Sequence, residues 1–254
     1  MKTNIRNDIC YITFDRPQAK NAFNEEAATK LASEISSVSP KEISAIVLTG
    51  KGDAFSAGGD IETMAKREET SAEAYTRIQK SLGAVAKEIL TAELPIIAAV
   101  NGDAVGAGLS IVLLCDFAYA AESARFGASF INVGLIPDMG ASILLPQIIG
   151  LRKTKELVFT GKLIDGEEAN EIGIINECLP ESRLDDKIKE VTTRLRDLPT
   201  QNIGLAKRAL HENIGRQLRD GLDHEAHLQT LAYDTPGHKE GVNAFLEGRD
   251  PNFE

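Results

Sequence analysis

The first two-thirds of the chain alternates short apolar runs with glycine, proline and acidic turns, and only later settles into helical spacing. Residues 9–14 (ICYITF) read as a strand that stops at Arg16-Pro17, because proline fixes φ and removes a backbone donor. Asn24 is placed to cap a helix reaching Ser36, with Ala27, Leu31 and Ile35 at helical spacing. The run 44–49 (SAIVLT) has the look of a buried strand, and the loop Gly50-Lys51-Gly52-Asp53 follows it. One long helix is expected over 71–91, then a strand over 95–100 (PIIAAV). Strand and helix in alternation predict an α/β fold with parallel pairing.

From Asp165 onward strand signals become rare, and 182–196, 200–213, 216–232 and 237–246 all carry helical spacing. Pro199-Thr200 therefore divides the chain into an α/β body, 1–198, and a helical C-terminal region, 199–254. That tail is too thin to hold its own core, so it is expected to pack on the body or on a neighbouring subunit. No repeat of fixed period and no low-complexity segment interrupts the pattern.

Composition narrows the possibilities. The chain has 254 residues, 43% of them hydrophobic, enough for a sizeable core. Its 28 basic and 38 acidic residues give a net charge of −10, which argues against duplex DNA or an anionic membrane as partner. Cys10, Cys115 and Cys178 are widely spaced and odd in number, so a reduced, cytoplasmic setting is expected rather than a disulfide framework. The N-terminus lacks the apolar block of a signal peptide, and the longest strongly apolar run, 104–115, is too short to span a bilayer.

Two glycine-rich segments stand out, 54–61 (AFSAGGDI) and 101–108 (NGDAVGAG), each between a predicted strand and a helical run. Small residues there let backbone N–H groups approach a ligand, and two such loops facing each other would supply the convergent donors of an oxyanion hole. A tight strand-to-helix turn also needs glycine, so local sequence leaves both readings open. Neither segment is a P-loop, and Ile111 stands where a GxGxxG fingerprint needs its last glycine. Ala54 spoils a nucleophile elbow around Ser56. The four histidines, 211, 224, 227 and 238, all lie late, which argues against a hydrolase triad, and no metal-ligand spacing is present.

Carboxylates remain for acid–base work. Asp60, Asp103, Asp116 and Asp138 sit in apolar or glycine-rich contexts, unlike most of the 38. Asp138, in Gly134-Leu135-Ile136-Pro137-Asp138-Met139-Gly140, reads equally as a base and as the N-cap of a helix starting near Gly140.

Together these segments resemble the crotonase (enoyl-CoA hydratase/isomerase) superfamily over essentially the whole chain. Arg16-Pro17 with Lys20-Asn21-Ala22-Phe23-Asn24 is similar to the family's early CoA-contacting turn. Phe55-Ser56-Ala57-Gly58-Gly59-Asp60-Ile61 resembles its first oxyanion-hole segment, and Asn101-Gly102 through Gly108 to Cys115-Asp116 the second. Phe126-Gly127, Gly134-Leu135-Ile136-Pro137 and Ala244-Phe245-Leu246-Glu247 complete the pattern. The resemblance implies a spiral of ββα units with a C-terminal helical trimerisation region, assembling as a homotrimer or a dimer of trimers. It implies an acyl-CoA substrate, with coenzyme A entering as part of the thioester and no permanently bound cofactor or metal.

By position, the resemblance gives the oxyanion-hole donors to Gly59 and Ala107. Contacts to the acyl-CoA fall to Lys20, Ala22, Ala57, Gly58, Asp60, Ile61, Gly106 and Phe130, with Phe245 and Arg249 closing over the nucleotide end. Hydratases of the family use two glutamates, and the matching positions here are Ser110 and Phe130. Asp138 matches the single Asp or Glu of family isomerases, including those acting on 3-enoyl-CoA and on the ring-epoxide of phenylacetyl-CoA. Phe130 and Ile131 are expected to shield it from water and raise its pKa. An isomerase that shifts a double bond is thus the expected activity; a 2-enoyl-CoA hydratase and a catalytically silent acyl-CoA binder are the alternatives.

Overall fold

The computed structural model describes residues 1–253, with side chains throughout except at 213–216. Strands β1 (Lys2–Arg6) and β2 (Ile9–Phe14) form a hairpin. Its turn, Asn7-Asp8, has positive φ at both residues (49° and 61°), the geometry that matches strand twist. β1 is exposed along its whole length, so no apolar alternation marks it in the sequence.

After α1 (Glu25–Ser36), capped by the Asn24 side chain on Ala27 N–H, come β3 (Ala45–Gly50) and β4 (Ala54–Ser56). Helix α2 (Ile61–Ala65) leads to α3 (Ser71–Lys80) and α4 (Leu82–Thr91). The single helix expected over 71–91 is thus two. Ser81, at φ −106° and ψ −80°, breaks it while its hydroxyl donates to the Arg77 carbonyl. The break lets α3 pack on the C-terminal region and α4 on α1. β5 (Ile96–Val100), β6 (Asp103–Val105) and α5 (Ala107–Leu114) follow, then β7 (Phe117–Ala121), β8 (Arg125–Gly127) and a 3-10 turn at Ser129–Val133. α6 (Ala141–Thr160) bends at Gly150; β9 (Leu163–Asp165), α7 (Gly166–Glu171), β10 (Glu177–Leu179) and α8 (Glu181–Arg196) complete the body.

The fold is α/β, a spiral of ββα units. One sheet runs β1-β2-β3-β5-β7-β10 and a smaller one β4-β6-β8-β9. In β3–β4, β5–β6 and β7–β8, the first strand joins the large sheet and the second the small one, before the chain turns to a helix or 3-10 turn. Successive residues of the large sheet face opposite sides. Ile46, Leu48, Ile96, Ala98 and Val100 enter the main core, while Ala45, Val47, Ile97 and Ala99 pack with Leu184, Ile188 and Leu195 of α8. All of α5 is buried, so the second glycine-rich loop leads straight into a helix fixed in the core on every side.

The segments expected as helices over 200–213 and 216–232 are one helix, α9 (Thr200–Tyr233), followed by α10 (Pro236–Glu247). α9 carries three interior glycines, each costing only about 1 kcal/mol, and it packs on α3, α4 and α6. That packing overrides the local break.

Candidate active site

The two glycine-rich loops meet. β4 pairs with β6 in parallel, Ala54 opposite Asp103 and Ser56 opposite Ala104, so both strands deliver their loops to the same end of the small sheet. Contact there is backbone to backbone. A β carbon on Gly58, whose φ is +95°, would stand 2.7 Å from Val105 O and 3.4 Å from Ala107 N. Gly106 turns the second loop at φ +54° and leaves Ala107 as the first residue of α5. An N–H in the first turn of a helix has no intrahelical acceptor. Phe23 and Gly59 form an isolated parallel bridge, but its bonds run from Phe23 N to Gly58 O (2.7 Å) and from Asp60 N to Phe23 O (3.0 Å). The Gly59 N–H therefore faces the other way. Among the described residues, neither it nor the Ala107 N–H donates to a protein acceptor.

The 20–24 turn is laced to this loop. Lys20 and Asn21 both adopt left-handed φ (45° and 56°), and Lys20 O accepts from Ala57 N at 2.9 Å. Buried Asn21 donates to Lys51 O and Ala54 O and accepts from Arg16 N, so the turn is fixed from inside. Lys20 stands exposed at its rim, Ala22 is buried, and Ala57 and Ile61 are half-buried.

Of the four carboxylates singled out, three are committed to structure. Asp60 pairs with Arg16 at 2.8 Å and caps α2 through Thr63 N–H; Asp103 pairs with Arg125. Asp116 accepts from Ile96 N–H and pairs with Lys207 at 2.7 Å. Asp138 differs. Its carboxyl is buried, Oδ2 accepts from Gln229 Nε2 at 3.2 Å, and Oδ1 has no hydrogen-bond partner. Burial, with the neighbouring Glu225 carboxylate, pushes it up to about 7, against the pull of the Gln229 amide and Arg77.

The N-cap reading of Asp138 is not what the structure holds. α6 is capped from a distance by Glu225 of α9, which accepts from the N–H groups of Gly140 (2.8 Å) and Ser142 (3.0 Å). One turn on, Gln229 accepts from Ile136 N–H at 3.0 Å while donating to Asp138. The C-terminal region thus grips the 136–142 segment on both sides of the candidate base. Neither residue was singled out from sequence, because a Glu and a Gln four apart on a charged helix carry no local signal.

Ser110, at a position matching a hydratase glutamate, is fully buried, and its hydroxyl donates to the Asp138 carbonyl at 2.9 Å. Phe130 is buried beside Gly106. Ile131 does not shield Asp138; it is 42% exposed and lies against Gly161. Phe245 on α10 is 60% exposed, and Arg249 is spent on Glu240 and Glu247. His238 Nδ1 donates to Val133 O, and no group of three His, Cys, Asp or Glu among the described residues could hold a metal ion. Among the same residues no helix is long and apolar enough to cross a membrane.

Residues 4–254 match the enoyl-CoA hydratase/isomerase family model. The chain is 31% identical over 253 residues to the 1,2-epoxyphenylacetyl-CoA isomerase of Escherichia coli K12, covering 99% of this chain and 97% of that one. It is 30% identical over 247 residues to the crotonyl-CoA hydratase of Syntrophomonas wolfei, covering 96% and 94%. A crystal structure of an enoyl-CoA hydratase/isomerase from Pseudoalteromonas atlantica superposes with a TM-score of 0.88 at 30% identity, over 100% of this chain and 99% of that one.

Proposed function

Because the chain belongs to the enoyl-CoA hydratase/isomerase family, we propose that it shifts a carbon–carbon double bond in an acyl-CoA thioester, with Asp138 as the one base. The observation that carries this reading is the Asp138 carboxyl: buried, poised near 7, with Oδ1 unpartnered. Taking a proton next to a thioester builds negative charge on the carbonyl oxygen, and the N–H groups of Gly59 and Ala107 are the donors for it. One such donor is typically worth about 10²–10³ in rate. The same carboxyl then returns the proton two carbons along, which needs a pKa near the working pH.

Hydration calls for a second acid–base group, and the positions for one hold buried Ser110 and Phe130. Glu225, the other buried carboxylate near Asp138, has both oxygens engaged by the N-terminus of α6. Both activities occur among the relatives, so the test is direct: incubation with 3-enoyl-CoA and with 2-enoyl-CoA. We expect interconversion of the two without build-up of 3-hydroxyacyl-CoA, and at least about a 100-fold loss of turnover in Asp138→Asn. Efficient hydration that survives Asp138→Asn would overturn the isomerase reading.

In this reading coenzyme A enters with the substrate and lies along the 20–24 turn, against Ala57, Gly58, Asp60 and Ile61. The C-terminal region 199–254 is then a trimerisation element. Leu205 and Leu210 of α9, exposed at 64% and 69%, support it, as does a groove of about 1120 Å³ between α4 and α9. Three free cysteines fit a cytoplasmic setting. Arg249, held by Glu240 and Glu247, needs a change of partner to reach a nucleotide; Phe245 needs none.

A further inference from the structure

Two groups assigned to the reaction are tied to one helix. Ala107, whose N–H is one of the two oxyanion donors, is the first residue of α5, and Ser110 stands three residues on, on the same face. Ser110 carries the one polar side chain of α5, whose eight residues are all buried, and it is 0% exposed. A serine inside a helix ordinarily turns its hydroxyl back to the carbonyl four residues earlier. Here that carbonyl, Gly106 O, is 3.4 Å away, while the Asp138 carbonyl, on another element, is at 2.9 Å. The hydroxyl proton therefore goes to Asp138 O.

The backbone it holds is strained. Met139, buried, has a φ of +54°, so a left-handed residue with a bulky side chain comes directly after the base. Such a conformation persists only where the surroundings over-determine it. Several contacts do so here. Asp138 O also accepts from Ala141 N at 3.1 Å, Gly140 N–H is held by Glu225, and the Asp138 carboxyl is held by Gln229. Of these anchors, Ser110 alone comes from the helix that carries an oxyanion donor.

We propose that Ser110 is a positioning residue, which sets the place of the Asp138 carboxyl relative to the Ala107 N–H by holding the Asp138 backbone. This rests on the reading of Asp138 as the base; Ser110 itself, fully buried, does not touch the substrate. With the bond made, oxyanion donor and base are referred to one rigid helix. Without it, the strained turn relaxes and carries the carboxyl away from the carbon it must reach. A displacement of about 1 Å can cost about 100-fold in rate.

Turnover of 3-enoyl-CoA by Ser110→Ala gives the test, beside calorimetric titration with saturated butyryl-CoA. The expected result is a loss of at least about tenfold in kcat, with KM and the butyryl-CoA affinity within about twofold of wild type. In an Asp138→Asn background, Ser110→Ala should cost nothing further, because it acts through that carboxyl. A Ser110→Ala protein with a lowered thermal midpoint but wild-type kcat overturns the proposal and leaves the serine as packing alone. An equal loss of kcat in both backgrounds overturns it as well, pointing to a general disturbance of α5. If Asp138→Asn itself turns over like wild type, the base reading falls first and takes this one with it.

Discussion

Gln229 reaches across 91 residues of sequence to donate its amide N–H to Asp138 Oδ2 at 3.2 Å. Its amide orientation is fixed, because its oxygen is already the acceptor for Ile136 N–H. A donor on the carboxylate favours the charged form, while the buried Glu225 carboxylate opposes it.

The two neighbours therefore predict opposite shifts. If ionised Asp138 is the base, kcat/KM falls on the acid side of about pH 7. Gln229→Leu removes the donor, raises the carboxyl further and moves that limb to higher pH. Glu225→Gln removes the like charge and moves it to lower pH, at a cost of about 1–2 kcal/mol for the damaged helix cap. Limbs that stay put in both variants, or move the same way, would disconnect Asp138 from the profile.

Asp138 also makes a prediction about stability. Its carboxyl loses a proton near pH 3.8 in the unfolded chain but near 7 in the fold, so between those values the native state holds the extra proton. Stability accordingly declines as pH rises through that window, to a penalty of at most roughly 4 kcal/mol above it. Asp138→Asn is neutral at every pH. Its thermal midpoint should exceed wild type at pH 8, and the gap should close by pH 3.5. A variant less stable than wild type at pH 8 would mean that the buried charge is well compensated.

Gly58 is where the two loops touch. Alanine there meets a φ of +95° and the Val105 carbonyl 2.7 Å away, so Gly58→Ala must spread the loops. We expect a loss of a few kcal/mol in stability and at least about tenfold in kcat. A thermal scan with single-turnover kinetics separates the two.

Rebuilding a hydratase by Ser110→Glu with Phe130→Glu should fail. Ser110 is fully buried, its hydroxyl holding the Asp138 backbone, and a carboxylate there would be desolvated by α5. The expected result is poor folding and no 3-hydroxyacyl-CoA; hydration by a folded double variant would reveal room that the packing does not offer.

What the sequence conveys is uneven for physical reasons. The buried strands over 9–14, 44–49 and 95–100 announce themselves through apolar runs, and Asn24 through its cap. β1 has no buried face to announce it, and the α3–α4 break depends on what each half packs against. In the site, the glycine loops are legible because their backbone needs are local. Glu225 and Gln229 are not, since each matters only through a partner brought near by folding.

The grip of α9 on the 136–142 segment has a consequence for biosynthesis. A ribosome releases both sheets and Asp138 well before residues 225 and 229 emerge, so the carboxyl acquires its environment only when α9 docks. Until α9 docks, the Asp138 carboxyl lacks both the Gln229 donor and the Glu225 charge beside it.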